Sequence, residues 1–298
     1  MRPIFGPAAD VVPSMKERKP IAPLIKWIGG KRKLAPQIVA RLPAVIDGTY
    51  FEPFCGAAAV FCELWNTGRI GGKSVLADHN SDLINLYSKI RSGPEFLLAT
   101  LREYEEKYQQ DNRSGAEALY YQEREAWNRG LKDAARFVFL KQTAFNGLWR
   151  VNQKGGMNAA WGKYENPLLV NEPNILAWYD ALRDTRLFYG DTLAWNGIPE
   201  PKAGDVIYLD PPYVGTFDGY TSGGFTDEQQ ERLLVLCAEW TRKGVVVAYS
   251  NSAEAEPLVR RVWPEAKVEF FTTRYSVNRD GAGRSGKVEL FAIGGYNV

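Results

Sequence analysis

The sequence predicts an α/β fold: a mostly parallel sheet with helices on both faces, interrupted by an inserted, mainly helical segment. Three observations lead there. Between Gly48 and Arg91, short apolar runs bounded by turn residues alternate with helical periodicity, the β-α-β order that builds a parallel sheet. From Pro94 to about Thr143 the strand signals give way to long amphipathic runs. Strand-like runs then return and continue as far as Ile293.

Residues 1 to about 20, with Pro3, Pro7, Pro13 and Pro20 among mixed polar residues, read as a flexible tail. Lys31 to Arg41 is expected to be a short helix, Gly48 to Phe54 a strand leaving the sheet into a turn, and Ala57 to Asn66 a helix. Ser74 to Asp78 reads as the next strand, followed by a helix from about Asp82 to Arg91. In the insert, Phe96, Leu97, Leu98, Leu101 and Tyr104, then Ala135, Phe137, Val138 and Leu140, have helical spacing. Residues 144 to 166 form a loop of Gly, Asn, aromatic and basic residues. Strand signals follow at Leu187–Tyr189, Val206–Leu209, Gly244–Tyr249, Val268–Thr272 and Val288–Ile293. The expected organisation is a tail at 1–20, one unit formed by 21–90 and 168–298, and an insert at 91–167 with a hairpin-like loop.

Composition narrows the chemistry. At 298 residues with 45% hydrophobic content, the chain can bury a large core. No run reaches membrane-span length, and the polar N-terminus lacks the apolar centre of a secretion signal, so a soluble cytoplasmic protein is expected. Cys55, Cys62 and Cys237 form neither a paired framework nor a metal-ligand spacing, and His79 is the sole histidine, which argues against a metal site and against His-based acid–base catalysis. A net charge of +2 is too small to announce a nucleic-acid partner, although Lys16 to Lys19 and Lys26, Lys31, Arg32 and Lys33 concentrate positive charge in a way that permits DNA binding.

The most informative stretch is Asp210-Pro211-Pro212-Tyr213, which follows the apolar run Val206–Leu209. In an open α/β sheet, ligands collect outside the carboxyl ends of strands. Two prolines bar helix and sheet pairing and stiffen the segment, so that the Asp210 carboxylate and the Pro211 carbonyl can aim at one point while Tyr213 offers a ring. Those groups suit an amino group on a flat heterocycle. The alternative is an ordinary strand exit with an exposed Asp and a packed Tyr. Glu52-Pro53-Phe54-Cys55-Gly56-Ala57 sits at a strand-turn-helix junction where small residues let a ligand approach the backbone. It lacks a dinucleotide G-x-G-x-x-G, and the segment around Lys31 lacks the glycine and hydroxyl residue of a P-loop. Asp78 and Asp191, each after a strand, can accept bonds from a nucleoside, or Asp78 can simply cap the next helix.

The ordered set Lys26-Trp27-Ile28-Gly29-Gly30-Lys31, Glu52-Pro53-Phe54-Cys55-Gly56, Leu76-Ala77-Asp78, Phe145-Asn146-Gly147-Leu148-Trp149-Arg150 through Gly162-Lys163-Tyr164, Asp210-Pro211-Pro212-Tyr213 and Arg284 to Leu290 resembles the Dam-type DNA adenine-N6 methyltransferases, the D12 class, alpha group. The resemblance implies a Rossmann-like class I fold and S-adenosylmethionine as cofactor, with Trp27 and Lys31 near its methionyl and sulfonium end. Glu52, Phe54 and Gly56 would lie against it, Asp78 at the ribose, Asp191 near the adenine, and Asp210 beside the reacting centre. The 91–167 insert becomes a target-recognition domain for double-stranded DNA. Phe145 lies where a wedging aromatic is expected and Arg150 where a guanine-reading arginine is expected. Asn146, Leu148, Asn152 and Lys154 share that loop, and Lys26 would meet a flanking base pair. Arg279, Arg284 and Lys287, in a Gly-rich loop, either meet phosphates or belong to a solvated hairpin. A flipped adenine would stack on Tyr213; Tyr220 and Gly224-Phe225-Thr226 either close over it or form a mobile surface loop with a buried Phe.

Two departures from the family pattern stand out. Ala58 occupies a position where a second glycine is common, and its methyl is expected to crowd the cofactor. Ala159-Ala160-Trp161 stands where members specific for GATC commonly have proline, so a GATC-like site is implied only loosely. A monomer is expected, with one or two copies per DNA site. Alternatives are an amino methyltransferase acting on RNA or protein, and a DNA-binding relative without catalysis.

Overall fold

Seven strands form one sheet in the computed structural model, which describes residues 18–110, 113–152, 154–195, 197–213, 225–273 and 287–295. They are β1 (Tyr50–Glu52), β2 (Ser74–Asp78), β3 (Thr185–Tyr189), β4 (Val206–Leu209), β5 (Val246–Ser252), β6 (Lys267–Thr273) and β7 (Lys287–Gly294), in the order β3-β2-β1-β4-β5-β7-β6. The first five are mutually parallel, and β7 runs antiparallel between β5 and β6. Every residue of β1, β4 and β5 is buried, as expected of parallel strands covered on both faces. The chain starts in the middle of the sheet at β1, moves outward to β2 and β3, then returns to place β4 on the other side of β1. The carboxyl ends of β1 and β4 therefore flank the point where strand order reverses, which opens a crevice between Glu52 and Asp210.

Alternate residues send the sheet's two faces into two apolar clusters. Tyr50, Leu76, Tyr208, Ala248 and Phe291 join α1 (Ala35–Val39), α2 (Ala59–Asn66), α3 (Ser81–Ser92) and α7 (Glu172–Leu182). Phe51, Val75, Ile207, Leu209 and Val247 join α8 (Asp227–Arg242) and α9 (Glu256–Val262). The insert's helices, α4 (Glu95–Gln110), α5 (Arg113–Asn128) and α6 (Ala134–Thr143), bury Leu97, Leu101, Tyr104, Phe137 and Phe139 in the same cluster as α3 and α7.

Several expected boundaries move, for local reasons. α1 begins at Ala35 rather than Lys31: residues 31 to 34 form a turn in which the Lys31 carbonyl accepts from Leu34 and Ala35, and Pro36, in the first helical turn, suits a helix start. β5 starts at Val246 and runs on to Ser252. Three further helices lie outside the expected elements. α7 opens with the Asn171 side chain as cap and Pro173 in its first turn, α8 with a capping box between Thr226 and Gln229, and α9 with Pro257. The tail at 1–17 lies outside the described residues.

Candidate active site and nucleic-acid loop

At the crevice between β1 and β4 lies a cavity of about 970 Å³. Trp27, Lys31, Glu52, Phe54, Gly56, Asp78, Asp191, Asp210, Pro211, Pro212 and Tyr213 all line it, although they come from segments as far apart as residues 27 and 213.

Asp210 leaves β4 directly into the cavity. Its Oδ2 lies 2.8 Å from Lys31 Nζ, while its Oδ1 is buried with no hydrogen-bond partner among the described residues. Burial pushes the Asp210 carboxyl upward, and the Lys31 ammonium opposes that shift. Lys31 is itself buried, donates to the Gly29 carbonyl at 2.9 Å, and sits 4.7 Å from the centre of the Tyr213 ring. The Tyr213 hydroxyl donates to Glu289 Oε2 at 2.7 Å, and that same oxygen is 3.8 Å from Lys31. Burial, reinforced by Asp210, raises the Tyr213 hydroxyl far enough to keep it a neutral donor. Lys31 thus stands between two carboxylates and fixes both the acid and the ring of the tetrapeptide.

The Pro-Pro shelf is held from below. Gln230, fully buried on α8, donates to the Pro212 carbonyl at 2.6 Å, and the Tyr249 hydroxyl on β5 donates to Gln230 Oε1 at 3.0 Å. Neither Glu289 nor Gln230 was singled out from the sequence. Glu289 stood within a recognised segment, but only β7's antiparallel return brings it to Tyr213. Gln230 belongs to a helix whose apolar face gave no hint of a polar contact.

The opposite wall is the turn after β1. Gly56 has φ +46° and packs so closely on Trp27 that an added Cβ would meet the indole Nε1 at 2.8 Å, so both backbone and space require glycine. Asp78 fastens this turn to β2: Oδ2 accepts from the Gly56 amide at 2.9 Å and Oδ1 from the Asn80 amide at 2.8 Å. The cap of α3 is Asn80, not Asp78. Glu52 is buried, and its Oε2 accepts from the Tyr50 hydroxyl at 2.7 Å and the Phe61 amide at 2.9 Å; burial lifts its pKa to about 8. Asp191 is exposed at the rim, with Oδ1 accepting from the Leu193 amide. The expectation for Ala58 needs correction. It is fully buried, lies in the apolar core rather than along the cavity, and has φ 53°, so its methyl costs backbone strain instead of crowding the pocket.

The loop after α6 divides its aromatics. Trp149 and Trp161 are buried, whereas Phe145 is 51% exposed and Asn146, Arg150, Asn152 and Lys154 are exposed, with Leu148 half-buried. Antiparallel bridges at Ala144–Trp161 and Val151–Met157 make the segment hairpin-like. The Asn152 side-chain oxygen closes its tip by accepting from the Lys154 and Gly156 amides. Lys26 is exposed, and its ammonium lies 4.0 Å from the centre of the Tyr164 ring. At the departure from the family pattern, the Ala159 carbonyl accepts from Tyr120 and Arg124. Arg279, Arg284, Tyr220 and Gly224 lie outside the described residues, while Phe225 lines the cavity and Lys287 opens β7.

Among the described residues, no three His, Cys, Asp or Glu side chains cluster as a metal site, and no helix is long and apolar enough to cross a membrane. Comparison with known proteins adds relationship to this geometry. The family model for D12 class N6 adenine-specific DNA methyltransferases matches residues 27–277. The type II methyltransferase M1.LlaDCHI of Lactococcus lactis subsp. cremoris is 33% identical over 264 residues, covering 85% of this chain and 88% of that protein. A DNA adenine methylase of Vibrio cholerae is 31% identical over 281 residues, covering 90% and 94%. The DNA N-6-adenine-methyltransferase of Escherichia phage P1 is 33% identical over 281 residues, 91% of this chain but 35% of that longer protein.

Proposed function

The chain belongs to the D12 class N6 adenine-specific DNA methyltransferases, and from that premise we propose that it methylates the N6 amino group of an adenine flipped out of double-stranded DNA, using S-adenosylmethionine. The observation that supports this reading best is the Asp210 carboxylate, which lines the cavity opposite the Gly56–Trp27 cradle and whose buried Oδ1 has no hydrogen-bond partner among the described residues. A buried acceptor without a partner is costly, so it implies a donor that arrives with substrate.

The residues present fit the cofactor. In this reading Trp27 and Gly56 hold its methionyl end, Asp78 and Asp191 hold ribose and adenine, and Glu52 and Phe54 shape the turn between them. Bound there, S-adenosylmethionine would supply an electrophilic methyl group.

Asp210 Oδ1 and the Pro211 carbonyl accept the two hydrogens of the adenine amino group. The nitrogen lone pair, otherwise delocalised into the ring, is then localised on the face toward the methyl donor. Lys31 keeps Asp210 ionised by occupying Oδ2, which leaves Oδ1 for substrate. Such preorganised acceptors act where positive charge grows on nitrogen. Tyr213, its hydroxyl tied to Glu289, offers its ring to stack the flipped base, and the Pro211-Pro212 shelf clamped by Gln230 fixes the distance between ring and carboxylate.

In the same reading, residues 21–90 with 168–298 are the catalytic unit and 91–167 the target-recognition insert. Phe145 wedges into the duplex, Arg150 reads a guanine, Lys26 meets a flanking pair, and Asn146, Leu148, Asn152 and Lys154 complete the loop. Arg284 and Lys287 meet phosphates. The protein works as a monomer in the cytoplasm of a prokaryotic or phage-infected cell, on a site that is GATC-like in part. The test is incubation with methyl-labelled S-adenosylmethionine and duplex DNA, RNA or protein in parallel: label in duplex DNA at N6 of adenine is expected, and label confined to RNA or protein overturns the reading.

A further inference from the structure

Lys141, on α6 inside the insert, is 0% exposed, an unusual place for a lysine. Its Nζ donates to the Gly147 carbonyl at 2.9 Å and lies 4.9 Å from the centre of the Trp27 ring and 5.9 Å from that of Trp149. Burial lowers its pKa to about 7. A desolvated amine is expensive to keep, so the contacts that hold it must be good ones, among them a carbonyl acceptor and aromatic faces.

Its neighbours belong to two different functions. On one side, Trp27 meets both Lys141 and Gly56, the glycine whose backbone shapes the cofactor wall. On the other, Gly147 is the last residue of the tight turn Phe145–Gly147, in which Asn146 and Gly147 both have positive φ. That turn sets the direction of Phe145, Leu148 and Arg150. Gly147 also lies against the stem of Lys26, where an added Cβ would come within 2.5 Å of the Lys26 Cβ. The path from cofactor cradle to DNA-reading loop is thus Gly56, Trp27, Lys141, Gly147, all in direct contact.

We propose that Lys141 is a positioning residue that couples cofactor occupancy to DNA reading, holding the Gly147 carbonyl in register with the Trp27 indole so that the loop is set for DNA when the indole is set by cofactor. The inference rests on the proposed function, because it needs Trp27 at the cofactor and the Phe145–Lys154 loop at the DNA. Thermodynamic linkage makes it measurable: if cofactor tightens DNA binding, DNA tightens cofactor binding by the same factor.

The experiment measures duplex DNA affinity by fluorescence anisotropy with and without saturating S-adenosylhomocysteine, and S-adenosylhomocysteine affinity by calorimetry, for the wild type, Lys141→Met and Lys141→Gln. In the wild type, S-adenosylhomocysteine should tighten DNA binding roughly 5-fold or more. Lys141→Met, which keeps the aliphatic stem and removes the donor, should reduce that factor to below about 2-fold while leaving S-adenosylhomocysteine affinity alone within about 2-fold. Lys141→Gln, which can still donate to a carbonyl, should restore part of the coupling. Should Lys141→Met fail to fold, hydrogen exchange of the wild type decides: amides 145–150 should slow on adding S-adenosylhomocysteine without DNA. Coupling unchanged in Lys141→Met, or wild-type DNA affinity and exchange indifferent to S-adenosylhomocysteine, overturns the inference. A wild type that labels no duplex DNA at all would instead sink the function on which it rests.

Discussion

At Asp210 one carboxylate has to stay ionised in buried surroundings and still present a free lone pair. The division of labour between its oxygens meets both needs, with Lys31 on Oδ2 and no hydrogen bond from the described residues on Oδ1. Asp210→Asn keeps the shape but can turn an amide donor toward the substrate amine, so kcat should fall by about 10²–10³-fold, the scale for losing one preorganised polar contact to a transition state. Binding of S-adenosylhomocysteine, measured by calorimetry, should change far less, and near-normal turnover would remove Asp210 from the chemistry. Lys31→Met tests the other oxygen. Burial raises the Asp210 carboxyl and Lys31 opposes it, so deleting the ammonium should move the acidic limb of the pH–kcat profile to higher pH. The position of that limb, rather than its height, is the readout; a limb that stays in place would mean that Lys31 does not govern the ionisation.

Among the elements, the strand-to-helix turn after β1 and the tight turn after α6 both depend on residues with positive φ, and they respond differently to substitution. Ala58 caps α2 at φ 53° with its methyl in the core. Ala58→Gly relieves left-handed strain of about 1–2 kcal/mol but gives up a buried methyl and adds unfolded-state entropy, together about 1–2 kcal/mol. Thermal unfolding should therefore shift by no more than a few degrees, with S-adenosylhomocysteine affinity unchanged; a large gain in affinity would restore the crowding that the sequence suggested. Gly147→Ala meets both a backbone penalty and the Lys26 stem, so sequence discrimination on duplex DNA should weaken while cofactor affinity persists. Elements were legible where pattern alone decides them: Ser74–Asp78 is a strand from end to end because its apolar centre, Val75–Ala77, is bounded by polar residues, as in a short buried parallel strand. α7, α8 and α9 were not: they stand among strand-like runs after the insert and are marked at their starts by caps and a first-turn proline, although the buried face of α8, Gln230, Leu233, Leu234, Cys237 and Ala238, has helical spacing. Glu289 and Gln230 were illegible for another reason: their partners, Tyr213 and the Pro212 carbonyl, lie 76 and 18 residues away along the chain and meet them only through sheet order and helix packing.

On the scale of the whole molecule, burying ionisable groups at the crevice and in the insert beside it leaves a signature in stability against pH. Glu52 and Lys141 lie on opposite sides of that signature. Glu52 rises from an ordinary 4.5 to about 8 in the fold because it is desolvated. The folded state therefore holds its proton where the unfolded chain has released it, so the stability this group contributes is full below about 4.5 and lost as pH climbs through about 8. Lys141 falls from 10.5 to about 7 for the same reason, so its contribution is full above 10.5 and lost as pH descends through about 7. Together the two leave the protein least supported near neutrality, between about 7 and 8. Other buried acids add to the same curve, so each contribution has to be isolated by difference. Gln at position 52 mimics the protonated acid and can still accept from Tyr50 and the Phe61 amide. Its melting temperature should match the wild type near pH 5 and exceed it increasingly toward pH 8, at constant ionic strength. Lys141→Met should gain on the wild type in the reverse direction, as pH falls from about 10 toward 7. If the Glu52→Gln difference stays flat across that range, Glu52 is ionised in the fold at neutral pH, and the crevice carries one more negative charge beside Asp210 than the burial of this side chain implies.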